Sequence, residues 1–333
     1  MDPWDDLVRV CDKLNGLPLD ELADSLDTYV DVDRTLWFLA SEIAFSDDDI
    51  YVHKGKMDYY LYYDVETGRM TPQEIDGNSV MRNNAVNRGP FYNADDVNYP
   101  LLNRMLAVPE LRQRYLAHLR TLITEKMQPG TLNALLSSWS TLIDAEVNVD
   151  LKKLYTYAAF NTELTALQNF ITNRRNALLA KSEVAQLAPI ISNVLHRVRG
   201  EEWAAPDAST TVQVSVTVAN MAMTERLDLH YSLGAYGDFT AVQLFDDGAH
   251  DDGPTGDGTY GGTIPAAPAT TRVRHYVQAT ANNAAHSLSY PPPGAEHDVY
   301  TYQVQVGFAL GPVVRVNELM AQNTSTVVDE NDQ

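Results

Sequence analysis

The spacing of apolar residues changes once along this 333-residue chain, near residue 210, and this change constrains the fold more than any other feature. Before it, apolar residues recur every three or four positions, as at Leu19, Leu22 and Leu26. After it they alternate with polar residues, as at Val212 and Val214. The first period is typical of amphipathic helices and the second of half-buried strands. This change of period therefore predicts an α+β protein of more than one domain, with a mainly helical part followed by an all-β part.

The predicted domain boundaries follow from this pattern and from composition. We expect a helical lobe over residues 1–200, with later helices near 131–147 and 160–180, and a linker over Glu201–Ser209. Residues 208–308 contain several short alternating segments separated by turn residues, which is typical of an immunoglobulin-like or fibronectin-like sandwich. Residues 312–333 begin another strand-like unit.

One β-hairpin is predicted inside the helical part, over residues 59–75. Tyr59 to Tyr63 has the composition of a strand, and Val65-Glu66-Thr67-Gly68 has that of a turn. Residues 77–99 are rich in Asn, Gly and Asp and show little periodicity, so they predict a long loop. Long loops inside compact domains often carry function.

Carboxylates stand on both sides of this hairpin. Asp47, Asp48 and Asp49 end the preceding helix, and Asp76 follows the second strand. Phosphotransferases bring a base and a magnesium ligand to one point in this way. Plainer interpretations stay open, because acidic runs are commonly solvated and Asp-Gly pairs commonly form turns.

A second acid-rich stretch lies in the β part, over Asp246–Gly253 and Asp257-Gly258. Its oxygen ligands suit calcium. The spacing differs from that of an EF-hand, and Asp-Gly pairs also favour hairpin turns. Both interpretations stay open for this stretch.

Composition excludes several classes of protein. The formal net charge of −21 argues against nucleic acid or an anionic membrane as the partner. Cys11 is the only cysteine, so no intrachain disulfide or cysteine-based metal site is expected. No apolar run is long enough to span a membrane, and the N-terminus does not have the pattern of a signal peptide. The chain has no phosphate-binding Gly-rich motif, no Gly-x-Ser-x-Gly elbow and no His-Glu-x-x-His motif.

Several segments together resemble the spore-coat CotH kinase family, atypical protein kinases related to the secretory-pathway kinases. The resemblance covers residues 1–195 and rests on four main segments, Asp31–Leu39, Asp49–Tyr51, Tyr59–Arg69 and Asp76–Asn78. Supporting matches are Pro100–Tyr115 and Arg174-Arg175. The β part is similar to the domain that often follows, and Val316–Ala321 is similar to the opening strand of a lamin-tail domain.

The resemblance implies roles for four residues. Asp49 falls on the catalytic acid, which orients and deprotonates a substrate hydroxyl, and Asp76 falls on the magnesium-binding acid. Asn78 replaces a second acid of the family and would be a weaker magnesium ligand. Asp58 stands where many members have Asn before the Tyr-Tyr-Leu-Tyr strand, and we assign it to cofactor binding. The implied cofactors are ATP and magnesium.

The resemblance also implies a protein kinase that transfers phosphate from ATP to Ser or Thr of a protein. Family members carry an upstream nucleotide-binding lobe with a phosphate-pairing lysine, and no residues before Met1 supply it. Lys54 and Lys56 are hypothetical replacements for that lysine. We therefore expect the C-terminal part of such a kinase, inactive alone, from an exported bacterial protein at the cell surface or outside the cell. Its partner would be a protein substrate or a cell-surface molecule.

Two other functions remain open at this point. The first is a non-catalytic extracellular scaffold or adhesion module that uses the β-sandwich to bind a surface partner. The second is a metal hydrolase that uses the same acids. The hydrolase lacks support because no histidine or third acid completes a two-metal site.

Overall fold

The computed structural model describes residues 4–53 and 56–306, and within them the chain is an α+β protein as predicted. Helices occupy the first part and several antiparallel sheets the rest. Lys54 and the predicted start of a lamin-tail-like domain at 312–333 lie outside the described residues.

The first part is built from helices around one hairpin. The elements are α1 Asp5–Gly16, α2 Leu19–Leu26, α3 Val32–Phe45, β1 Tyr59–Asp64, β2 Arg69–Glu74, α4 Pro100–Asn103, α5 Pro109–Thr121, a π-helical turn at Leu122–Lys126, α6 Pro129–Val149 and α7 Tyr157–Leu179. The predicted long loop over 77–99 contains only a short 3₁₀ turn at Asn83–Ala85.

Helix α3 forms the centre of the first core and leads directly to the acidic cluster. Its N-terminus is capped by Asp31, whose carboxylate accepts a hydrogen bond from the N–H of Arg34 at 3.0 Å. Leu36, Leu39 and Ile43 are fully buried on it. The helix ends at Ser46, which takes the left-handed conformation with φ of 54° and turns the chain sharply. The acidic cluster therefore starts immediately beyond a fixed helix end.

The predicted hairpin is confirmed. Strands β1 and β2 pair antiparallel, with Tyr59 opposite Glu74 and Asp64 opposite Arg69. Gly68 closes the turn with φ of 72°, a conformation that glycine adopts without strain. Met70 exchanges backbone hydrogen bonds with the segment before α3, so the hairpin is attached to the core.

The second part contains two antiparallel sheets. Their strands are β3 Ile191–Val198, β4 Glu201–Glu202, β5 Val212–Val218, β6 Thr224–Leu233, β7 Thr240–Leu244, β8 Thr259–Ile264, β9 Arg272–Ala281, β10 Leu288–Ser289 and β11 Tyr300–Gln303. One sheet has the order β4-β3-β5-β8, and the other has the order β10-β9-β6-β7 with β11 also paired to β9. Apolar side chains from both sheets form one buried cluster.

The boundary between the two parts differs from the prediction. Residues 191–198, assigned to the helical lobe, form β3 and pair with β5. The predicted linker over 201–209 contains β4. The register between β3 and β5 shifts between Ser192 and Leu195, and Asn193 has φ of 49°. This bulge interrupts the alternation of apolar and polar residues, which is why the sequence pattern did not indicate a strand.

The two parts contact each other through a charged and aromatic interface. Helix α5 packs against β10, and Tyr276 and Tyr290 are buried in one cluster with Ala117 of α5 and Leu288 of β10. Arg114 of α5 forms a 2.8 Å ion pair with Glu296, and His297 Nε2 lies 3.0 Å from a carboxylate oxygen of Asp31. Burial opposes the charge on His297, but the hydrogen bond to Asp31 and the charges of Asp31 and Asp33 together outweigh it and raise the pKa of the imidazole.

Candidate active site

Ser79 connects the acid that follows α3 with the loop that follows β2. Its Oγ lies 2.7 Å from Oδ2 of Asp49 and 2.8 Å from Oδ1 of Asn78. A hydroxyl has one proton, so Ser79 donates to one of these oxygens at a time. Three residues separated by up to 30 positions thus share one hydrogen-bonded cluster, which we call the Ser79 cluster.

Asp76 is held beside this cluster by its own turn. Its two carboxylate oxygens accept hydrogen bonds from Asn78, one from the backbone N–H at 3.0 Å and one from the side-chain amide at 2.8 Å. Such Asx turns are favoured by short polar side chains in tight loops. Asp76 and Asn78 are both exposed. The turn therefore presents a carboxylate and an amide oxygen side by side at the surface.

The three consecutive acids of the cluster after α3 have different environments. Asp47 is buried and accepts from the backbone N–H of Asp49 at 3.1 Å. Asp48 accepts from Arg88 at 2.6 Å and lies 3.6 Å from His53 Nε2. Asp49 is half-buried and contacts Ser79. Asp48 is thus paired with a cation, whereas Asp49 reaches the loop of Asp76.

Behind these acids lies a buried glutamate that the sequence analysis did not select. Glu42 is 3% exposed and is adjacent to Glu74 and Asp47. Burial, together with the charges of Glu74 and Asp47, raises the pKa of Glu42 to about 10, so it carries a proton at neutral pH. Burial also raises the pKa of Asp47. A carboxylate within an otherwise apolar stretch of α3 is the signal that could have identified Glu42.

Arg174 fixes the backbone around the site. It is fully buried, and its guanidinium donates to the carbonyl oxygens of Ile43, Ala44, Val86 and Arg88. Burial lowers its pKa to about 10, which leaves it charged at neutral pH. One side chain of α7 therefore ties the end of α3 to the loop that carries Arg88, the partner of Asp48.

The remaining predicted residues lie around the same end of the hairpin. Asp58 is half-buried with φ of 56° and precedes Tyr59, the residue opposite Glu74, so it lies at the end of the hairpin that leads to Asp76. Lys56 lies over the ring of Tyr99 at 4.6 Å from its centroid, which gives it a packing contact.

Asp76 and Asn78 could hold magnesium only as part of a larger ligand set, because they supply one carboxylate and one amide oxygen. Magnesium typically takes one or two protein carboxylates and completes its shell with phosphate oxygens and water. Asp76 and Asn78 provide this kind of partial set. Within the described ranges, no group of three or more His, Cys, Asp or Glu side chains is arranged to hold a metal ion alone.

The acid-rich loop of the β part has a different arrangement. Asp252 is buried and accepts from the backbone N–H groups of Asp247, Gly248 and His250 at 2.6, 2.8 and 2.9 Å. Asp246 accepts from two further N–H groups of the loop, at 2.6 and 3.0 Å. These oxygens already accept hydrogen bonds from the backbone, so a calcium ion would compete with N–H groups of the loop, and calcium binding stays a prediction.

None of the helices in residues 4–53 and 56–306 combines the length and apolar character needed to cross a bilayer.

Comparisons with known proteins add one informative match. No curated protein sequence matches the chain. Among solved structures, the crystal structure of a Br derivative of BhCBM56 aligns with 8% identity over 35% of this chain and 99% of that one. Its TM-score of 0.21 is too low to support any argument. The model of the family described as CotH kinase protein matches residues 1–178, which include α3, the hairpin, the Ser79 cluster and Arg174. Because this match covers more than half of the sequence, the chain belongs to the CotH kinase family.

Proposed function

We propose that this protein takes part in phosphate transfer from ATP to Ser or Thr of a protein substrate, and that this chain binds Mg-ATP and transfers phosphate itself, in place of the expectation that it is inactive alone. Asp49 is the catalytic acid, and Asp76 and Asn78 hold magnesium. The observation that carries the proposal is the Ser79 cluster, in which Asp49 and Asn78 contact the same hydroxyl. A base and a metal-binding turn at one point are what phosphoryl transfer requires.

Each residue has a distinct task in this proposal. Asp49 orients the substrate hydroxyl and accepts its proton, while Ser79 keeps Asp49 close to the metal-binding turn. Bound magnesium would neutralise phosphate charge. Asp58 stands at the same end of the hairpin and contributes to the nucleotide side of the site. The protonated Glu42 adds no negative charge behind Asp49, so less repulsion faces the incoming phosphates.

The resemblance to the CotH kinase family also suggests a structure for the β part and for residues 312–333. We propose that the two sheets form an immunoglobulin-like or fibronectin-like sandwich, and their antiparallel pairing and shared core support this. The lamin-tail-like segment at 312–333 and a bacterial, extracellular location belong to the same proposal and rest on sequence similarity alone.

Calorimetric titration of Mg-ATP tests the metal-binding half of the proposal. The wild-type chain should bind saturably, and Asp76→Ala should abolish the heat of binding. Asp96→Ala is the matched control, because Asp96 forms the same turn with Asn98, at 2.8 and 2.9 Å, but lies outside the Ser79 cluster. Absence of binding by the wild type, or equal loss in both variants, would contradict the proposal.

Phosphate transfer tests the catalytic half. With labelled ATP and a degenerate Ser/Thr peptide mixture, Asp49→Asn should abolish transfer and keep Mg-ATP affinity within about twofold, because the base acts after binding. Transfer by Asp49→Asn at the wild-type rate would remove Asp49 from this role.

A further inference from the structure

The connection between α6 and α7 forms an exposed apolar surface. Helix α6 buries none of its residues. Beyond its end, Leu154 is 91% exposed and Tyr155 is 77% exposed. Contiguous exposed apolar surface of this kind commonly marks a protein interaction site.

This surface contains a cavity of about 510 Å³. Its apolar walls are Val147, Leu154, Tyr155 and Phe160, and its polar rim includes Arg82, Lys153 and Glu163. Ligand pockets are typically apolar with a few charged or polar groups at defined positions. The volume and the lining suit one large apolar side chain with a charged neighbour.

The cavity adjoins the candidate active site through Arg82. Nη2 of Arg82 lies 3.5 Å from the carbonyl oxygen of Asn78. Asn78 is in turn part of the Ser79 cluster. A polypeptide seated in the cavity would therefore pass beside the turn that carries Asp76 and Asn78.

The charge of this region differs from that of the chain as a whole. Two cations and one acid line the cavity. Across residues 129–179, four acids are balanced by four bases, so the net charge of −21 resides in the rest of the chain. Lys153 already donates to Asn148 and Asp150 at 3.2 and 2.7 Å, whereas Arg82 is exposed at the rim. Arg82 is therefore the side chain best placed to receive a carboxylate.

We infer that this cavity is the docking site for the protein substrate, and that it accepts a segment with a large apolar side chain next to an acidic residue. This inference rests on the proposed kinase function and specifies the class of substrate. The apolar side chain enters between Leu154, Tyr155 and Phe160, and the neighbouring carboxylate pairs with Arg82.

Four fluorescent decapeptides with a central serine test the inference by anisotropy. On one side of the serine they carry Phe or Ala, followed directly by Asp or Lys. The Phe/Asp peptide should bind at least tenfold more tightly than the Ala/Lys peptide. Equal affinity of all four peptides, or no binding of any, would overturn the inference.

Variants of the chain make the test specific to the cavity. Arg82→Glu should reverse the preference from the Asp to the Lys peptide. Leu154→Asp should weaken the Phe/Asp peptide at least tenfold, whereas Leu151→Asp should not, because Leu151 is equally exposed but does not line the cavity. Equal effects of the two leucine variants would contradict the assignment.

Three further outcomes separate this inference from its rivals. Analytical ultracentrifugation that shows a dimer dissociated by Leu154→Asp would assign the surface to self-association and overturn substrate docking. Peptide binding without phosphate transfer would refute the proposed function, and transfer without any peptide preference would refute the docking site.

Discussion

Asp48 and Asp49 accept hydrogen bonds from side chains of distant segments, whereas Asp246 and Asp252 accept them from backbone N–H groups of their own loop. The two acid-rich stretches have similar compositions, yet their partners differ. A carboxylate that caps several backbone N–H groups is committed to the shape of its loop. A carboxylate that faces a hydroxyl can exchange that partner for a ligand, because the hydroxyl rotates at little cost. The partners of a carboxylate, more than its neighbours in sequence, indicate whether it is available for chemistry.

Removal of a backbone-capping carboxylate is expected to have the largest effect on stability. Asp252→Ala leaves three loop N–H groups without their acceptor, so the melting temperature of the β part should fall by about 5 °C or more. Differential scanning calorimetry measures this. Asp251→Asn, at the exposed neighbouring position, should have a much smaller effect, because Asn also tolerates the φ of 58° there, and equal effects would contradict the comparison.

The buried acid behind the candidate site should make stability depend on pH. The pKa of Glu42 is about 10 in the folded protein and near 4.5 when unfolded. The stability associated with its proton is fully present below pH 4.5 and is lost as the pH rises towards 10. The free energy of unfolding should therefore fall between pH 6 and 9, by at most about 1.4 kcal/mol per pH unit.

Urea unfolding of Glu42→Gln checks this, because the amide cannot ionise and the slope should become smaller. Glu66→Gln, in the exposed hairpin turn, is the control and should retain the wild-type slope. Identical slopes for all three proteins would show that Glu42 is ionised in the folded state.

Removal of the connecting hydroxyl should affect binding more than stability. Ser79→Ala loses the hydrogen bond to Asp49 or Asn78, so the Kd for Mg-ATP should rise about fivefold, which corresponds to about 1 kcal/mol. Ser209→Ala removes a similar serine–aspartate hydrogen bond, at 2.7 Å to Asp207 in the β part, and should leave Mg-ATP affinity unchanged. Calorimetry that shows no difference between the two variants would remove Ser79 from the site.

Addition or removal of calcium is expected to have the smallest effect on the melting temperature of the β part. Ligand that binds only the folded state raises the melting temperature with concentration. Because Asp246 and Asp252 are already engaged by the backbone, millimolar calcium or EGTA should shift the transition of the β part by less than about 1 °C. A larger shift that Asp252→Asn abolishes would show that the loop rearranges to bind the ion.

Local patterns were sufficient to predict much of the fold. The hairpin over residues 59–75 and the helices near 131–147 and 160–180 are present within a few residues of their predicted bounds. Val212–Val218 also forms the strand that its alternation predicts. These elements depend on periodicity within short windows, which a sequence shows directly.

The features that the sequence did not indicate depend on contacts between distant segments. Glu42 resembles an ordinary helical glutamate until Glu74 and Asp47 are packed beside it. Strand β3 is irregular because of its bulge. Ser79 gains its importance only when the chain returns to Asp49, 30 residues earlier. Of the predicted site, Asp49, Asp76 and Asn78 come together around Ser79, and their chemical roles remain predictions.

The guanidinium of Arg174 has a consequence for the order in which this protein acquires its shape during synthesis. Every acid of the candidate site has been translated by residue 76. The carbonyl oxygens around these acids receive hydrogen bonds from Arg174, which is translated about a hundred residues later. A nascent or shortened chain that stops before α7 would contain all the acids but not Arg174. The four backbone carbonyl oxygens that accept hydrogen bonds from Arg174 would then lose their donor. We therefore expect that shortening the chain from its C-terminal side past residue 174 would destabilise the backbone around the site without altering any of the candidate catalytic residues.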